Sequence, residues 1–246
     1  MHEHTSGPFR IPATGWIQTL LIFGGAGVLL YVGTHGLIPW LSHVTGLETV
    51  VCWFLVGGLG VFLPLIVLGW VLLRSEARLA GRVSVLWTER LRLRRMNRGD
   101  WLWVMGALGV IGVLSFGIQA ALALLPGGVG LQPSFMRVEP LSPGRYWVLL
   151  AWIPFWLLNI LGEEFLWRGV VLPRQQSALG GNAWVANAAG WLLFHAAFGW
   201  QIILVLLPIV VVLPFVVQRR GNSWVGVFIH AGLNGPGFLA VAFGLA

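Results

Sequence analysis

The chain contains no lysine and few charged residues of any kind. Only 9% of its 246 residues are charged, whereas 57% are hydrophobic. A soluble domain of this length needs far more polar surface to cover its core, so the composition predicts an integral membrane protein that contacts the lipid bilayer. Because every basic side chain except histidine is arginine, the sequence also indicates a G+C-rich, bacterial genome.

Cysteine and processing signals are equally scarce. The single cysteine, Cys52, excludes an internal disulfide framework. No small-residue cleavage site follows the first apolar run, so we expect that run to stay as a membrane anchor. The arginines lie between apolar spans, which favours a role in membrane topology over nucleic-acid binding. We therefore expect no nucleic-acid partner.

Apolar runs long enough to cross a bilayer recur along the chain. They predict an all-α fold, a polytopic bundle of about seven transmembrane helices without internal repeats. The predicted spans are residues 15–34, 49–73, 101–125, 146–172, 184–199, 201–218 and 224–244. The stretch between the first two spans is predicted to be a short loop. A single long helix over residues 183–218 is the alternative to the two short spans there.

Residues 74–100 hold eight of the fifteen arginines. Arginine-rich short loops stay in the cytoplasm, so we predict a cytoplasmic N-terminus and a cytoplasmic 74–100 segment, in a bacterial inner (plasma) membrane. An amphipathic helix on the inner leaflet is an alternative for this segment. We divide the chain into N-terminal spans, residues 1–145, and a catalytic core, residues 146–246, within one integrated membrane domain.

Ionisable side chains within the predicted spans are concentrated in the second half. Such groups are costly in a bilayer and usually face a protein interior or a wet cavity. They are Glu163, Glu164, Arg168, His195 and His230, and Asn234 follows the last histidine by one turn. Counted from the nearest cytoplasmic anchor at ~1.5 Å per residue, the first glutamate and both histidines lie roughly 15 Å deep. This shared depth predicts that they meet in a membrane-embedded polar cavity formed by the C-terminal four helices.

Helical spacing separates the two adjacent glutamates. Glu164 and Arg168 are four residues apart and predict an ion pair within one helix. Glu163 points about 100° away, on the face that carries Asn159, and is free for chemistry. We therefore predict a supporting role for Glu164 and Arg168.

These residue types suit hydrolysis of an amide. A free carboxylate and a histidine can hold and deprotonate a water molecule, while a second histidine and an asparagine amide can donate to an oxyanion. The sequence has no G-x-S-x-G elbow and no serine or cysteine obviously paired with the histidines, which disfavours a covalent intermediate. Two histidines and a glutamate are also zinc ligands, so zinc stays an alternative to the favoured absence of a cofactor.

Three motifs resemble those of the CPBP intramembrane proteases, the CAAX protease and bacteriocin-processing (Abi) family. "EEFLWR" fits the E-E-x-x-x-R motif, "WLLFH" is similar to F-x-x-x-H, and "HAGLN" fits H-x-x-x-N. Their order and spacing also match, over about residues 146–240. The one departure is Trp191, where phenylalanine is usual, and we expect it to alter the packing behind His195 without removing the chemistry.

The resemblance implies a polytopic helical endopeptidase with a membrane-embedded cavity open toward the cytoplasm. Carried over to this sequence, Glu163 and His195 would activate water, and His230 and Asn234 would stabilise the oxyanion. The better understood members are regarded as metal-independent glutamate proteases. The implied substrate is a peptide or a membrane-associated protein.

Two other classes of function compete with proteolysis. A non-catalytic membrane scaffold or partner-binding protein would keep the polar cluster for helix packing. A transporter would use a midplane carboxylate to relay ions, but the missing inverted repeat disfavours it.

Overall fold

The computed structural model describes residues 11–79, 87–126, 132, 133, 135 and 137–245. Within these residues every regular element is helical, as predicted. A helix satisfies its backbone N–H and C=O groups internally, which is why long apolar runs in a bilayer fold this way. The helices are α1 (Trp16–Val32), α2 (Ile38–Thr45), α3 (Thr49–Gly57), α4 (Leu63–Leu79), α5 (Trp87–Arg90), α6 (Arg98–Ala123), α7 (Trp147–Glu163), α8 (Leu172–Leu179), α9 (Ala183–Phe194), α10 (Trp200–Arg220) and α11 (Ser223–Ala242).

In the described part of the chain, π-helical segments join three pairs of helices. Gly33–Leu37 connects α1 to α2, Gly58–Phe62 connects α3 to α4, and Glu164–Val171 connects α7 to α8. Such segments are rare and often lie at functional sites. The third one contains most of the E-E-x-x-x-R motif.

The prediction of a loop between the first two spans is wrong for most of that stretch. The chain stays helical to Thr45, because the π segment carries α1 into α2 without a break. Within this continuation the Thr34 hydroxyl donates to the Leu30 carbonyl at 2.8 Å. The turn comes only at Gly46, whose φ of 70° is left-handed and suits glycine.

Among the described residues, six helical stretches are long and apolar enough to cross a membrane. The fourth, Trp147–Phe198, has 52 residues and turns back on itself after Gly180. Asn187 on α9 donates to the Trp167 carbonyl at 3.0 Å, and Trp191 contacts Glu163. These contacts make α9 antiparallel to α7 and the third π segment, so the stretch Trp147–Phe198 accounts for two of the seven predicted spans.

The alternative of one long helix over residues 183–218 is wrong. A short 3₁₀ turn, His195–Phe198, ends α9, and Gly199 with a φ of 86° separates it from α10. The two helices then pack against each other as a hairpin. The glycine conformation supplies the sharp turn that the sequence pattern left open.

The two halves of the chain pack into one another. α1 lies against α9, α3 against α7, and α6 against both α10 and α11. At the centre, Phe23 of α1 stacks on Trp167 with ring centroids 4.0 Å apart. The polar groups of the second half are therefore enclosed partly by helices of the first.

A buried ion cluster closes the arginine-rich end, and we call Glu76, Arg90 and Arg174 the Glu76 cluster. Arg90 Nε contacts the Glu76 carboxylate at 2.6 Å, as does Arg174 Nε. Arg90 also donates to the carbonyls of Gly169 and Val170, which lie in the third π segment. The 74–100 segment is thereby tied to the motif helix, although residues 80–86 lie outside the described part.

Candidate active site

The polar groups predicted to converge do converge. Glu163 ends α7, His195 follows the last residue of α9, and His230 and Asn234 lie on α11. All four line one cavity of about 530 Å³. That volume is typical of sites that enclose a small ligand or a short peptide segment.

Glu163 is buried, and both of its carboxylate oxygens are held. Asn159 Nδ2 donates to Oε1 at 3.0 Å, from the same helix face that the sequence predicted. The indole N–H of Trp191 donates to Oε2 from α9. Because each carboxylate oxygen has a second lone pair, Glu163 can still accept a proton or a hydrogen bond from the cavity.

His195 is fixed in one orientation by the backbone of α9. Its Nδ1 lies 2.9 Å from the carbonyl of Trp191. A carbonyl only accepts, so Nδ1 carries the hydrogen, and in the neutral ring Nε2 keeps a free lone pair. Nε2 can therefore accept a proton from a bound water.

Trp191 is the site residue that the sequence reasoning underrated. Its side chain donates to Glu163 and its carbonyl accepts from His195, so it links these two residues. Its ring lies edge-on to His230 at 5.5 Å and carries the Arg168 guanidinium 3.7 Å from its centroid. Trp191 thus makes contacts beyond the packing change that was expected, because an indole has a donor that phenylalanine lacks.

Glu164 has two partners where one was predicted. Arg168 Nη1 lies 3.0 Å from Oε1, which confirms the expected contact within the helix. His230 Nδ1 lies 3.0 Å from the same oxygen and reaches it from α11. A Cβ added at Gly226 would collide with Oε2 of Glu164, so this close approach of α11 requires glycine. Glu164 thus joins the first motif to the third.

Asn234 is exposed to the cavity, one helical turn beyond His230. Among the described residues its side chain makes no hydrogen bond. By contrast, Asn187 is fully buried outside the cavity and bonds Gln175 and a carbonyl of the π segment. The Asn234 amide is consequently a free donor at the polar end of the cavity.

The cavity wall is largely apolar and comes from both halves of the chain. From the first half, Trp53 and Phe54 of α3 and Phe62 of the second π segment line it. Ile111 and Phe116 of α6, also in the first half, line it as well. The prediction of a polar cavity formed by the C-terminal four helices was therefore incomplete. Sequence patterns gave no signal for these wall residues, since apolar side chains in a span look alike whether they face lipid or a cavity.

The cavity also lies on the side of Glu163, His195 and His230 that is remote from the arginine-rich end. The lining residues of α6 begin at Ile111, and those of α11 begin at His230. The cavity thus extends from these residues away from the arginine-rich end.

The described residues offer no ready metal site. No three side chains of histidine, cysteine, aspartate or glutamate among them come close enough together to hold a metal ion.

Residues 145–235 match a protein-family model described as "Rce1-like: Type II CAAX prenyl endopeptidase Rce1-like". The match covers fewer than half of the 246 residues but includes all three motifs and every polar residue of the site. The comparisons with curated proteins and with solved structures gave no match. The segment that carries the site, residues 145–235, therefore belongs to the Rce1-like group of the CAAX protease (CPBP) family of membrane proteases.

Proposed function

We propose that this chain is an intramembrane endopeptidase that hydrolyses a peptide bond with an activated water and without a metal ion. The observation that carries the proposal is the convergence of Glu163, His195, His230 and Asn234 in one cavity. The membership of the surrounding segment in the CAAX protease family supports the same reaction class. The substrate class is a peptide or a membrane-associated protein.

In the proposed first step, a water molecule binds between Glu163 and the free Nε2 of His195. Glu163 takes a proton from this water while the water oxygen bonds to the carbonyl carbon of the scissile peptide. Asn159 and Trp191 hold the carboxylate in place for this transfer. Positioned groups of this kind contribute about 10²–10⁴-fold to a rate.

The tetrahedral intermediate needs donors for its oxyanion. The Asn234 amide supplies one, and Nε2 of a protonated His230 supplies the other, since its Nδ1 is bonded to Glu164. When the C–N bond breaks, the proton held by Glu163 passes to the leaving nitrogen. The products are a carboxylate and an amine, and no covalent enzyme intermediate forms.

The decisive experiment is Glu163→Gln, which keeps the shape and removes the charge. We expect its cleavage rate to fall by about 10²–10⁴-fold with membrane insertion intact. Mapping new protein termini in membranes of cells with either form supplies the readout while the substrate is unidentified. Glu139→Gln is the matched control, because Glu139 is exposed and its carboxylate pairs, among the described residues, only with Arg137.

Full activity of Glu163→Gln would refute the proposed chemistry. The metal-free form of the mechanism has its own test in metal analysis of the purified protein. We expect no stoichiometric metal and no loss of activity in a chelator. Tightly bound stoichiometric zinc would contradict this part of the proposal.

A further inference from the structure

Another cavity lies at the arginine-rich end, at the outer surface of the helix bundle. It has a volume of about 420 Å³ and lies between the turn that joins α8 to α9 and the last turns of α10. Its lining includes the polar side chains of Gln176, Gln218 and Arg219 and the rings of Trp184 and Phe215. In the described part of the chain it shares no lining residue with the cavity of the candidate active site, so it is a separate site.

The polar groups of this cavity are only partly paired. Arg219 is exposed, and among the described residues its guanidinium makes no ion pair, whereas that of the neighbouring Arg220 is paired at 2.8 Å. Gln218 Nε2 donates to a carbonyl of the α8–α9 turn at 2.8 Å, but the side-chain oxygens of Gln176 and Gln218 have no partner in that part of the chain. A buried amide oxygen without a partner costs free energy, which a donor on a ligand would recover. The cavity therefore suits a ligand that carries both an anionic group and hydrogen-bond donors.

An apolar groove continues from this cavity toward the middle of the membrane. It has a volume of about 440 Å³, runs between α6 and α10, and every residue that lines it is glycine, aliphatic or aromatic. Phe215 lines both the groove and the polar cavity, so the two adjoin. Val212 in the groove precedes Arg219 by seven residues, which is about 10 Å along a helix. The rings of Trp184 and Trp103 lie 5.5 and 6.5 Å from that of Phe215, and tryptophan is enriched at the level of the lipid headgroups.

We propose that the cavity and the groove together bind one anionic phospholipid from the leaflet on the arginine-rich side, which the excess of arginine predicts to be cytoplasmic. The phosphate binds Arg219, hydroxyl or amine groups of the head donate to the glutamine oxygens, and one acyl chain lies in the groove. A free phosphate would leave the groove empty, and an apolar segment would leave Arg219 without a counter-charge. The inference does not depend on the proposed protease function.

Two substitutions test the head and the chain separately, each with a matched control. Arg219→Gln removes the charge of the cavity, and Arg95→Gln removes an exposed arginine at the same end that lines neither the cavity nor the groove. Gly106→Leu fills the groove, because a Cβ at Gly106 would meet no atom within 4 Å. Gly109→Leu is its control, because Gly109 is equally open on the same helix but does not line the groove. All four positions are exposed, so we expect each variant to fold, and thermal unfolding without added lipid checks this.

Native mass spectrometry of the full chain in a neutral detergent measures the binding. The probes are phosphatidylglycerol, phosphatidylcholine with the same acyl chains, and glycerol phosphate, which has no acyl chains. We expect the wild type to retain one phosphatidylglycerol, to bind phosphatidylcholine more weakly, and not to bind glycerol phosphate. Arg219→Gln should weaken the binding of phosphatidylglycerol by about fivefold, the usual effect of one arginine beside anionic lipid. Gly106→Leu should weaken it as well, and both control variants should bind like the wild type.

Several results would overturn the proposal. Equal binding of the two lipids, or equal losses in Arg219→Gln and Arg95→Gln, would show unspecific lipid contact. Glycerol phosphate bound as tightly as phosphatidylglycerol would show a site for a free phosphate, and unchanged binding in Gly106→Leu would remove the groove from the site. Thermal unfolding supplies a second readout, because a ligand that binds only the folded protein stabilises it. Phosphatidylglycerol should raise the unfolding temperature of the wild type more than that of Arg219→Gln, and equal shifts would contradict the proposal.

Discussion

In the described residues, the Glu76 cluster and the cluster around Glu163 and Glu164 both include residues of the continuous helix Trp147–Leu179, and they differ in how completely they are paired. In the Glu76 cluster no buried side-chain nitrogen or oxygen of the three residues lacks a partner. Around Glu163 and Glu164, by contrast, Glu164 Oε2, Arg168 Nε and Nη2, and Asn159 Oδ1 have none. All buried hydrogen-bonding groups of the Glu76 cluster are thus paired. The cluster around Glu163 and Glu164, which we call the motif cluster, has unpaired groups and borders the cavity.

This difference distinguishes a cluster with a structural role from a cluster that can take part in a reaction. A buried polar group without a partner costs free energy, so a purely structural cluster is expected to be saturated. The arginines of the Glu76 cluster meet that expectation by binding the carbonyls of Leu72, Gly169 and Val170. The motif cluster does not meet it, and one of its unpaired atoms, Asn159 Oδ1, belongs to a residue that lines the cavity, where a substrate or a water molecule can use it.

The largest expected effect is on stability, in the saturated cluster. Glu76→Gln leaves two buried guanidinium groups without a counter-charge, and breaking such a buried pair costs roughly 3–5 kcal/mol of unfolding free energy. Thermal unfolding in detergent measures the loss. Glu89→Gln is the control, because Glu89 is exposed on the neighbouring turn. A Glu76→Gln variant as stable as this control would remove the contrast between the clusters.

The next effect is on the oxyanion site. Asn234→Ala should lower kcat by about 10²–10³-fold, the usual result of removing one oxyanion donor, with little change in stability. Asn187→Ala makes the same change at a buried asparagine outside the cavity and should lower stability but not the kcat of the folded protein. If both variants behaved alike, Asn234 would have no special role.

The smallest effect tests the positioning of Glu163. Trp191→Phe keeps an aromatic ring over Arg168 but removes the donor to the carboxylate. A hydrogen bond to a charged group is worth roughly 1.5–3 kcal/mol, so kcat should fall at least about tenfold while KM stays unchanged. Trp156→Phe is the matched control, because its indole N–H has no partner in the described part of the chain. Equal kcat values in the two variants would return Trp191 to a packing role.

Contacts within a helix could be predicted from the sequence, and contacts between helices could not. The spacing of four residues predicted the Glu164–Arg168 pair and the shared face of Asn159 and Glu163. The bonds from His230 to Glu164 and from Trp191 to Glu163 join separate helices, and helical periodicity carries no information about such pairs.

The overall fold shows the same limit. Length and hydropathy predicted the membrane helices, because a bilayer imposes both on a span. They missed the helical continuation from Thr34 to Thr45, which depends on a π segment. They also left open the break at Gly199, which depends on a single left-handed residue.

The most direct measurement compares Glu163→Gln with Glu76→Gln by cleavage rate per folded molecule. The same chemical change is made in an open and in a closed cluster, so only the role of the carboxylate differs. We predict that Glu163→Gln folds normally and loses about 10²–10⁴-fold in rate. Glu76→Gln should unfold more easily, yet its folded fraction should cleave at nearly the wild-type rate. A folded Glu163→Gln protein that cleaves like the wild type would contradict the central claim.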